Sequence, residues 1–207
     1  IFKEQPLMVA FVDIGASQMQ VSIQEISITD GGVNVVELGY AYSDQVGGYL
    51  LDCAIARRIK SELLKQKPDA VIDEKATQRI LAAARKVKHE LTLHKEATLY
   101  LEDLVPGFDM HYHASTEVYK KMFRKPLVTL KTTIIEAMHR AGFEEADDID
   151  RYELVGGASR IPLFVDAINE TFNNQVPIFR SLNAEESAVV GSSYVLASHR
   201  GGILAQE

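Results

Sequence analysis

The sequence predicts a mixed α/β chain: an antiparallel meander opens one sheet, and a helical segment with its own small sheet is inserted before that sheet is completed. Three observations carry this reading. Residues 7–14 are a short apolar run ending in Asp13-Ile14-Gly15, the pattern of a buried central strand. Residues 19–28 and 33–42 follow as strands joined at Asp30-Gly31-Gly32, which reads as a hairpin turn, not as the start of a strand–helix–strand unit. Two long segments with helical spacing come next, and short strand signals return only after them.

Taken in order, Met19, Val21, Ile23 and Ile26 alternate with Gln20, Ser22 and Gln24, and the period slips near Gln24-Glu25, where a bulge is expected. After Gly47-Gly48 a helix runs to about Lys65 on Leu51, Ile55, Ile59 and Leu63. Lys67-Pro68 ends it. A second helix spans about Glu74 to Leu93 on Ile80, Ala84, Val87 and Leu91, with a basic end that suits its C-terminal dipole. Residues 97–104 and 108–114 alternate as strands around Pro106-Gly107. Ser115-Thr116-Glu117 reads as a helix cap, and a longer helix over 126–141 stops at Gly142. Asp147–Asp150 is an acidic loop. Tyr152–Val155 is a strand running into Gly156-Gly157, and a helix with Pro162 in its first turn extends to Phe172. Val176–Phe179 is a last strand, and 184–199 a last helix with Ala188, Gly191 and Ser192 on one face. Gly191 costs about 1 kcal/mol against Ala in a helix, so close packing or close ligand approach is expected there. Residues 6–46 and 144–200 then form a core sub-lobe, and 49–125 an inserted one.

Composition narrows the function classes. Of 207 residues, 46% are hydrophobic and 25% charged, which is ordinary globular usage. The net charge of −7 lacks the basic footprint of a nucleic-acid binder. Cys53 is the single cysteine, so no internal disulfide forms, and it reads as a small buried hydrophobe. No apolar run approaches the ~20 residues that span a bilayer, so no membrane partner is expected. The start at Ile1-Phe2-Lys3 is neither an initiator nor a signal peptide, and the chain reads as a domain excised from a longer protein.

Three segments carry chemistry. Val12-Asp13-Ile14-Gly15-Ala16-Ser17 ends a strand in an Asp that can hold hydrated Mg²⁺ and turns on small residues whose amides can cradle a phosphate; alone, it also describes an ordinary hairpin. Leu154-Val155-Gly156-Gly157-Ala158-Ser159-Arg160-Ile161-Pro162 is a strand-to-helix turn of the kind that lets a ligand approach the backbone, or a plain connection needing positive φ. Arg85, Lys88, His89 and Thr92 share one helix face, which suits a nucleoside or simply a solvated charged surface. His111 and His113 share a strand face, but no nearby third ligand argues for a metal.

In this order and at these separations, the three segments resemble the second lobe of the ATPase domain of the 70-kDa heat-shock protein superfamily, of the actin-like, ribonuclease H-like fold. The resemblance runs from about Pro6 to His199. The family's second phosphate loop, Asp-Leu-Gly-Gly-Gly-Thr-x-Asp, reads here Asp13 to Gln20. Its Gly-Gly-x-x-Phe-Asp helix start is matched by Gly47-Gly48-Tyr49-Leu50-Leu51-Asp52. Its adenosine motif Gly-Gly-Ser-Thr-Arg-Ile-Pro is matched by Gly156 to Pro162, and its Asn-Pro-Asp-Glu-Ala helix by Asn183 to Ser187. The loop departs at Ala16, Ser17, Gln18 and Gln20. Its Val-Asp-Ile-Gly-x-Ser form looks like the 110-kDa branch, the large relatives that act as nucleotide-exchange factors and holdases.

The resemblance implies the C-terminal lobe (lobe II) of a chaperone nucleotide-binding domain over residues 1–207. It implies ATP or ADP as ligand, with Mg²⁺ contacted through water by Asp13 in the intact two-lobe domain. Gly15, Lys88, His89, Thr92, Gly156, Gly157, Arg160 and Glu185 would bind the nucleotide. Arg85 stands where the family has a Glu that serves the sugar, and Glu185 where it has an Asp near the base. No catalytic residue is expected in the isolated lobe, because phosphoryl transfer needs both halves of the site. Implied partners are a 70-kDa chaperone and unfolded clients, in the cytoplasm or the endoplasmic reticulum lumen. A conventional ATP-hydrolysing chaperone and a degenerate lobe kept as a protein-interaction scaffold are the alternatives. Arg57, Arg58, Lys60, Lys65 and Lys67 form a basic cluster on the inserted sub-lobe, either a solvated face or a grip on the partner.

Overall fold

The computed structural model describes residues 5–29, 32–183 and 186–199. Its elements run β1 (Leu7–Ile14), β2 (Met19–Thr29), β3 (Gly32–Ser43), α1 (Gly48–Gln66), α2 (Glu74–Leu93), β4 (Glu96–Val105) and β5 (Phe108–Ser115). They continue with α3 (Thr116–Met122), α4 (Arg124–Arg140), β6 (Arg151–Val155), α5 (Pro162–Thr171), β7 (Ile178–Phe179) and α6 (Ser187–His199).

Strands β3-β2-β1-β6-β7 make one five-stranded sheet, and β4 and β5 a separate antiparallel pair. Within the large sheet, β2 runs antiparallel to both β1 and β3, while β6 is parallel to β1 and β7 parallel to β6. β1 is central because its side chains are apolar on both faces: Val9, Ala10, Val12 and Ile14 are fully buried. Fully burying a side chain of Val or Ile size contributes on the order of 2 kcal/mol. The ladder between β2 and β3 shifts register between Ile23 and Gln24, where the sequence pattern slips.

α4 covers β2 and β3 with Leu130, Ile134, Ala137 and Met138, a helical stripe that is entirely buried. Gly39 of β3 makes that approach possible. A Cβ at this position would lie 2.3 Å from the Ala137 carbonyl oxygen and 2.6 Å from the Ala141 nitrogen. α1 packs on α2, and α2 on β4, through Ile55, Ile59, Ile80, Ala84 and Val87. Asp73 caps α2 by accepting a hydrogen bond from the Ala76 amide at 2.7 Å.

Four local expectations need correction. Ser115 precedes α3, but its side chain makes no capping hydrogen bond; the Thr116 amide donates to the Lys95 carbonyl instead, which ties α3 to the strand pair. The acidic loop winds into a 3-10 turn at Ala146–Asp148, and Asp150 accepts from the Met8 amide at 2.9 Å, anchoring the start of β1. Gly191 has no heavy atom within 4 Å of where a Cβ would stand, so no close packing within the chain explains it. Cys53 is half-buried and contacts Tyr49, not a deep core position. Of the expected hairpin turn, Asp30 and Gly31 lie outside the described residues.

Tyrosines tie both parts of the chain to an alkaline limit. Tyr152 stacks on Phe172 at 4.6 Å between ring centroids and donates its hydroxyl to Asn169. Burial pushes its phenol up to about 12. Tyr112 and Tyr119 share a buried hydrogen bond of 3.0 Å, and burial is the main cause raising both phenols. A phenol is neutral below its pKa, and these sites hold the neutral form. Their contribution to stability is therefore intact below the ordinary value of 10.0 and is lost as pH rises through the raised values. In an alkaline titration these three phenols are expected to ionise above that ordinary value, together with loss of helical circular dichroism. Their titration at 10.0 in the folded chain would contradict the burial argument.

Candidate functional site

The site is built where three connections meet. β1 ends at Ile14, and the Gly15 amide closes a turn onto the Gln18 carbonyl at 2.9 Å. The carbonyls of that turn face the start of α1: Gly15 accepts from the Gly48 amide at 3.0 Å and Ala16 from the Tyr49 amide at 2.6 Å. Two of the amides that a helix start leaves unpaired are thus satisfied inside the chain. Gly47 permits the contact, since a Cβ there would sit 2.5 Å from the Ala16 carbonyl oxygen.

Opposite stands α2, whose Arg85, Lys88, His89 and Thr92 follow one another at steps of three, one and three along one face. The Gly157–Arg160 turn after β6 forms the third wall. Between them lies a cleft of about 540 Å³. It brings together six of the residues singled out from the sequence: Gly15, Lys88, His89, Thr92, Gly157 and Arg160. Gly157 opens directly into it, with no heavy atom within 4 Å of a would-be Cβ.

Two other candidates, Gly156 and Asp13, lie elsewhere. Gly156 sits behind the wall at φ +78°, and a Cβ there would fall 2.3 Å from Asp13 Oδ1. Asp13 is tucked beneath that turn, and its Oδ2 accepts a 3.1 Å hydrogen bond from the Gln20 side-chain amide. The two residues face each other across the β1–β2 ladder. Neither Asp13 nor Gly156 lines the cleft. Glu185 lies outside the described residues.

Sequence reasoning missed the charge at the centre of the site. Asp52, one turn into α1, is almost fully buried, and Lys88 Nζ lies 2.8 Å from its Oδ1. The pair is close but poorly aligned as a hydrogen bond, so charge attraction holds it. Lys88 also donates to the Gly48 carbonyl at 3.2 Å, and Arg85 Nε stands 3.8 Å from Asp52 Oδ2. Thr92, which lines the cleft, donates its hydroxyl to the Lys88 carbonyl at 2.9 Å. Tyr49 also lines the cleft; contact with the Cys53 thiol raises its phenol, while the nearby Arg85 lowers it. The signal for Asp52 was the Gly-Gly-x-x-x-Asp spacing, which puts a carboxylate on the same helix face as Gly48.

Chemically the cleft is an anion-favouring nucleoside-sized pocket. Among the described residues, Arg85, Lys88 and Arg160 line it against the carboxylate of Asp52. Among the described residues no group of three or more His, Cys, Asp and Glu could hold a metal ion, and no helix is long and apolar enough to cross a membrane. His111 packs on Tyr100, and His113 hydrogen-bonds Thr98 at 3.2 Å.

A sequence model described as Hsp70 protein matches residues 1–206. A heat shock protein homolog of Naumovozyma castellii is 32% identical over 196 residues, which are 94% of this chain and 28% of that protein. A heat shock protein homolog of Saccharomyces cerevisiae is 31% identical over 198 residues, covering 95% and 28%. Heat shock protein hsp88 of Neurospora crassa is 31% identical over 196 residues, covering 94% and 27%. The chain thus spans little more than a quarter of the length of these relatives. With a matching sequence model over nearly its whole length and a mixed α/β fold in which a strand-to-helix glycine turn faces a cationic helix across a cleft, the chain belongs to the Hsp70 protein family.

Proposed function

We propose that this chain is the second lobe of a chaperone nucleotide-binding domain. It binds the adenosine of ATP or ADP in the cleft between α2 and the Gly157–Arg160 turn, and it serves a 110-kDa-type co-chaperone that promotes nucleotide exchange on a 70-kDa partner. The observation that carries the reading is the cleft itself, with Gly157 open on one wall and Lys88 and His89 on the other. Arg160 offers a planar cation to stack on a base. α6 supports the lobe assignment: Val189, Val190, Tyr194 and Leu196 are all exposed, as expected of a helix that another part of a larger domain covers. The relatives' names support a role in the heat-shock response, with unfolded clients engaged by other parts of the full-length protein. The cytoplasm is the compartment this reading favours.

The site supports binding and not turnover. Gln18 and Gln20 present amides, not carboxylates, and Gln20 occupies one oxygen of Asp13. Mg²⁺ would enter with the nucleotide phosphates; Asp13, outside the cleft lining and with one oxygen held by Gln20, would reach such an ion only through water. Surface charge on α1 fits a partner grip only in part. Arg58 and Lys65 both pair with Glu62, at 3.0 and 3.1 Å, and Lys67 lies over the Phe108 ring, leaving Arg57 and Lys60 as the exposed cations for a partner.

Gly157→Val tests the reading. Its Cβ would point into the cleft with no heavy atom within 4 Å, so melting is expected to stay within about 1 kcal/mol of the starting chain, while calorimetric ATP and ADP binding to the full-length protein is lost. Undiminished binding would move the nucleotide elsewhere. Sustained phosphate release that depends on Asp13 would favour an ATP-hydrolysing chaperone, and no nucleotide binding in the starting protein would favour a scaffold.

A further inference from the structure

A second cavity, of about 240 Å³, opens beside the cleft where α1, α2, α3 and α5 meet. It shares Lys88, Thr92 and Ile161 with the cleft and no other lining residue. Leu51, Ile55, Tyr119, Phe123 and Ile161 are buried, so they line its inner part. The Tyr119 and Phe123 rings stack nearly parallel, 5.7 Å apart between centroids and 14° between planes. They give the cavity an aromatic part, and Leu51 and Ile55 of α1 an aliphatic one. The volume lies below the roughly 300–1,000 Å³ of sites for drug-sized ligands, so a compact body such as a single ring suits it.

The polar lining gathers around α3. The Thr116 amide donates to the Lys95 carbonyl at 2.9 Å, which sets these two residues side by side. Lys120 stands one turn along α3 on the same face as Thr116. Both lysines are exposed, so they line the cavity where it meets solvent. Among the described residues neither ammonium has an ion-pair partner, and the Thr116 hydroxyl has no hydrogen-bond partner. Lys88, by contrast, is held by Asp52 at 2.8 Å. Asp166 is the one described carboxylate on the lining, so two uncommitted cations stand against it in a chain whose net charge is −7. Two ammonium groups and a hydroxyl, all able to donate, suit an ionised carboxylate.

We propose that this cavity binds a small aromatic monocarboxylate, an aryl group joined to a carboxylate by a short alkyl link. The carboxylate would meet Lys95, Lys120 and the Thr116 hydroxyl, and the ring would lie against Phe123 and Tyr119. Aromatic contact adds to the gain from burying apolar area, and it separates an aryl group from a saturated ring of the same size. The inference does not rest on the adenosine reading of the neighbouring cleft.

The test is calorimetry on the nucleotide-free full-length protein with 3-phenylpropionate, 3-cyclohexylpropionate and 3-phenylpropan-1-ol. The phenyl acid is expected to bind about fivefold tighter than the cyclohexyl acid, and about tenfold tighter than the alcohol. The double variant Lys95→Gln with Lys120→Gln should remove the advantage over the alcohol. Both positions are exposed, so it should fold, and circular dichroism checks this. Phe123→Leu should remove the advantage over the cyclohexyl acid and keep the one over the alcohol. Absence of binding by the phenyl acid would overturn the inference. Equal binding of acid and alcohol would overturn it too, since the lysines would then play no part, and so would equal binding of the two acids. Preferences that survive the lysine variant would place the ligand elsewhere in the full-length protein and overturn the assignment.

Discussion

Gly156→Val is expected to lower Tm by about 10 °C or to prevent folding, whereas Gly157→Val, one residue on, leaves Tm nearly unchanged. Two separate terms act at Gly156. Its φ of +78° is a left-handed conformation that costs a non-glycine residue on the order of 1–2 kcal/mol, and more when the side chain is β-branched. A Cβ would also lie 2.3 Å from Asp13 Oδ1, 2.4 Å from the Ile14 carbonyl oxygen and 2.7 Å from its carbon. These belong to the central strand of the sheet, whose partners on both sides hold it in register, so they cannot yield. Overpacking of this kind costs typically 1–3 kcal/mol or more. The sum is about 4 kcal/mol, and a domain of this size loses about 2–4 °C per kcal/mol. Thermal unfolding of the two variants side by side decides the matter. Equal melting temperatures would mean that β1 and the β6 turn are not packed as described.

The contrast between the two glycines marks how far the sequence could be read. Periodicity was enough for the elements. The alternation of β2, the slip near Gln24 and the apolar stripe of α2 are local patterns, and each element formed where its pattern lies. Adjacent glycines after a strand announce a turn but not which one opens into the cleft. That depends on β1 passing beneath the turn, a contact about 140 residues away in sequence. The Gln20–Asp13 hydrogen bond follows from the β1–β2 register, which becomes visible only once the hairpin is aligned. The Asp52–Lys88 pair joins two helices and has no local pattern at all. Cys53 was misplaced for the same reason: its helix has a buried face at Leu51, Ile55 and Ile59, and Cys53 falls beside that face, toward Tyr49. Gly191 lies in a helix whose Val189, Val190, Tyr194 and Leu196 are exposed, and a Cβ on it would meet nothing within 4 Å, so packing among the described residues gives its glycine no reason.

Asp52→Asn and Lys88→Met are expected to destabilise the ligand-free chain alike but to change nucleotide binding in opposite directions. Each variant removes one partner of a pair whose side chains are 5% and 16% exposed, leaving the other charge without compensation. Breaking a fully buried pair costs about 3–5 kcal/mol; Lys88 borders the open cleft, so about 2 kcal/mol is the figure expected here, or about 4–8 °C in Tm. The ligand separates them. In Asp52→Asn the orphaned Lys88 cation gains an anion when a nucleotide phosphate arrives, and the carboxylate that opposed the phosphate is gone. Nucleotide should then bind more tightly and raise Tm by more than it does in the starting chain. In Lys88→Met the cation itself is missing and Asp52 remains as an unpaired negative charge on the cleft wall, so nucleotide should bind weakly and shift Tm little. The double variant removes both charges. It should recover part of the lost stability, with a coupling free energy that the cycle of four proteins measures directly. Matching nucleotide-induced Tm shifts in the two single variants would show that the pair acts only as a structural contact between α1 and α2. A shift that grows in Asp52→Asn and vanishes in Lys88→Met would place Lys88 against the phosphate and make Asp52 the group that holds it there in the empty cleft.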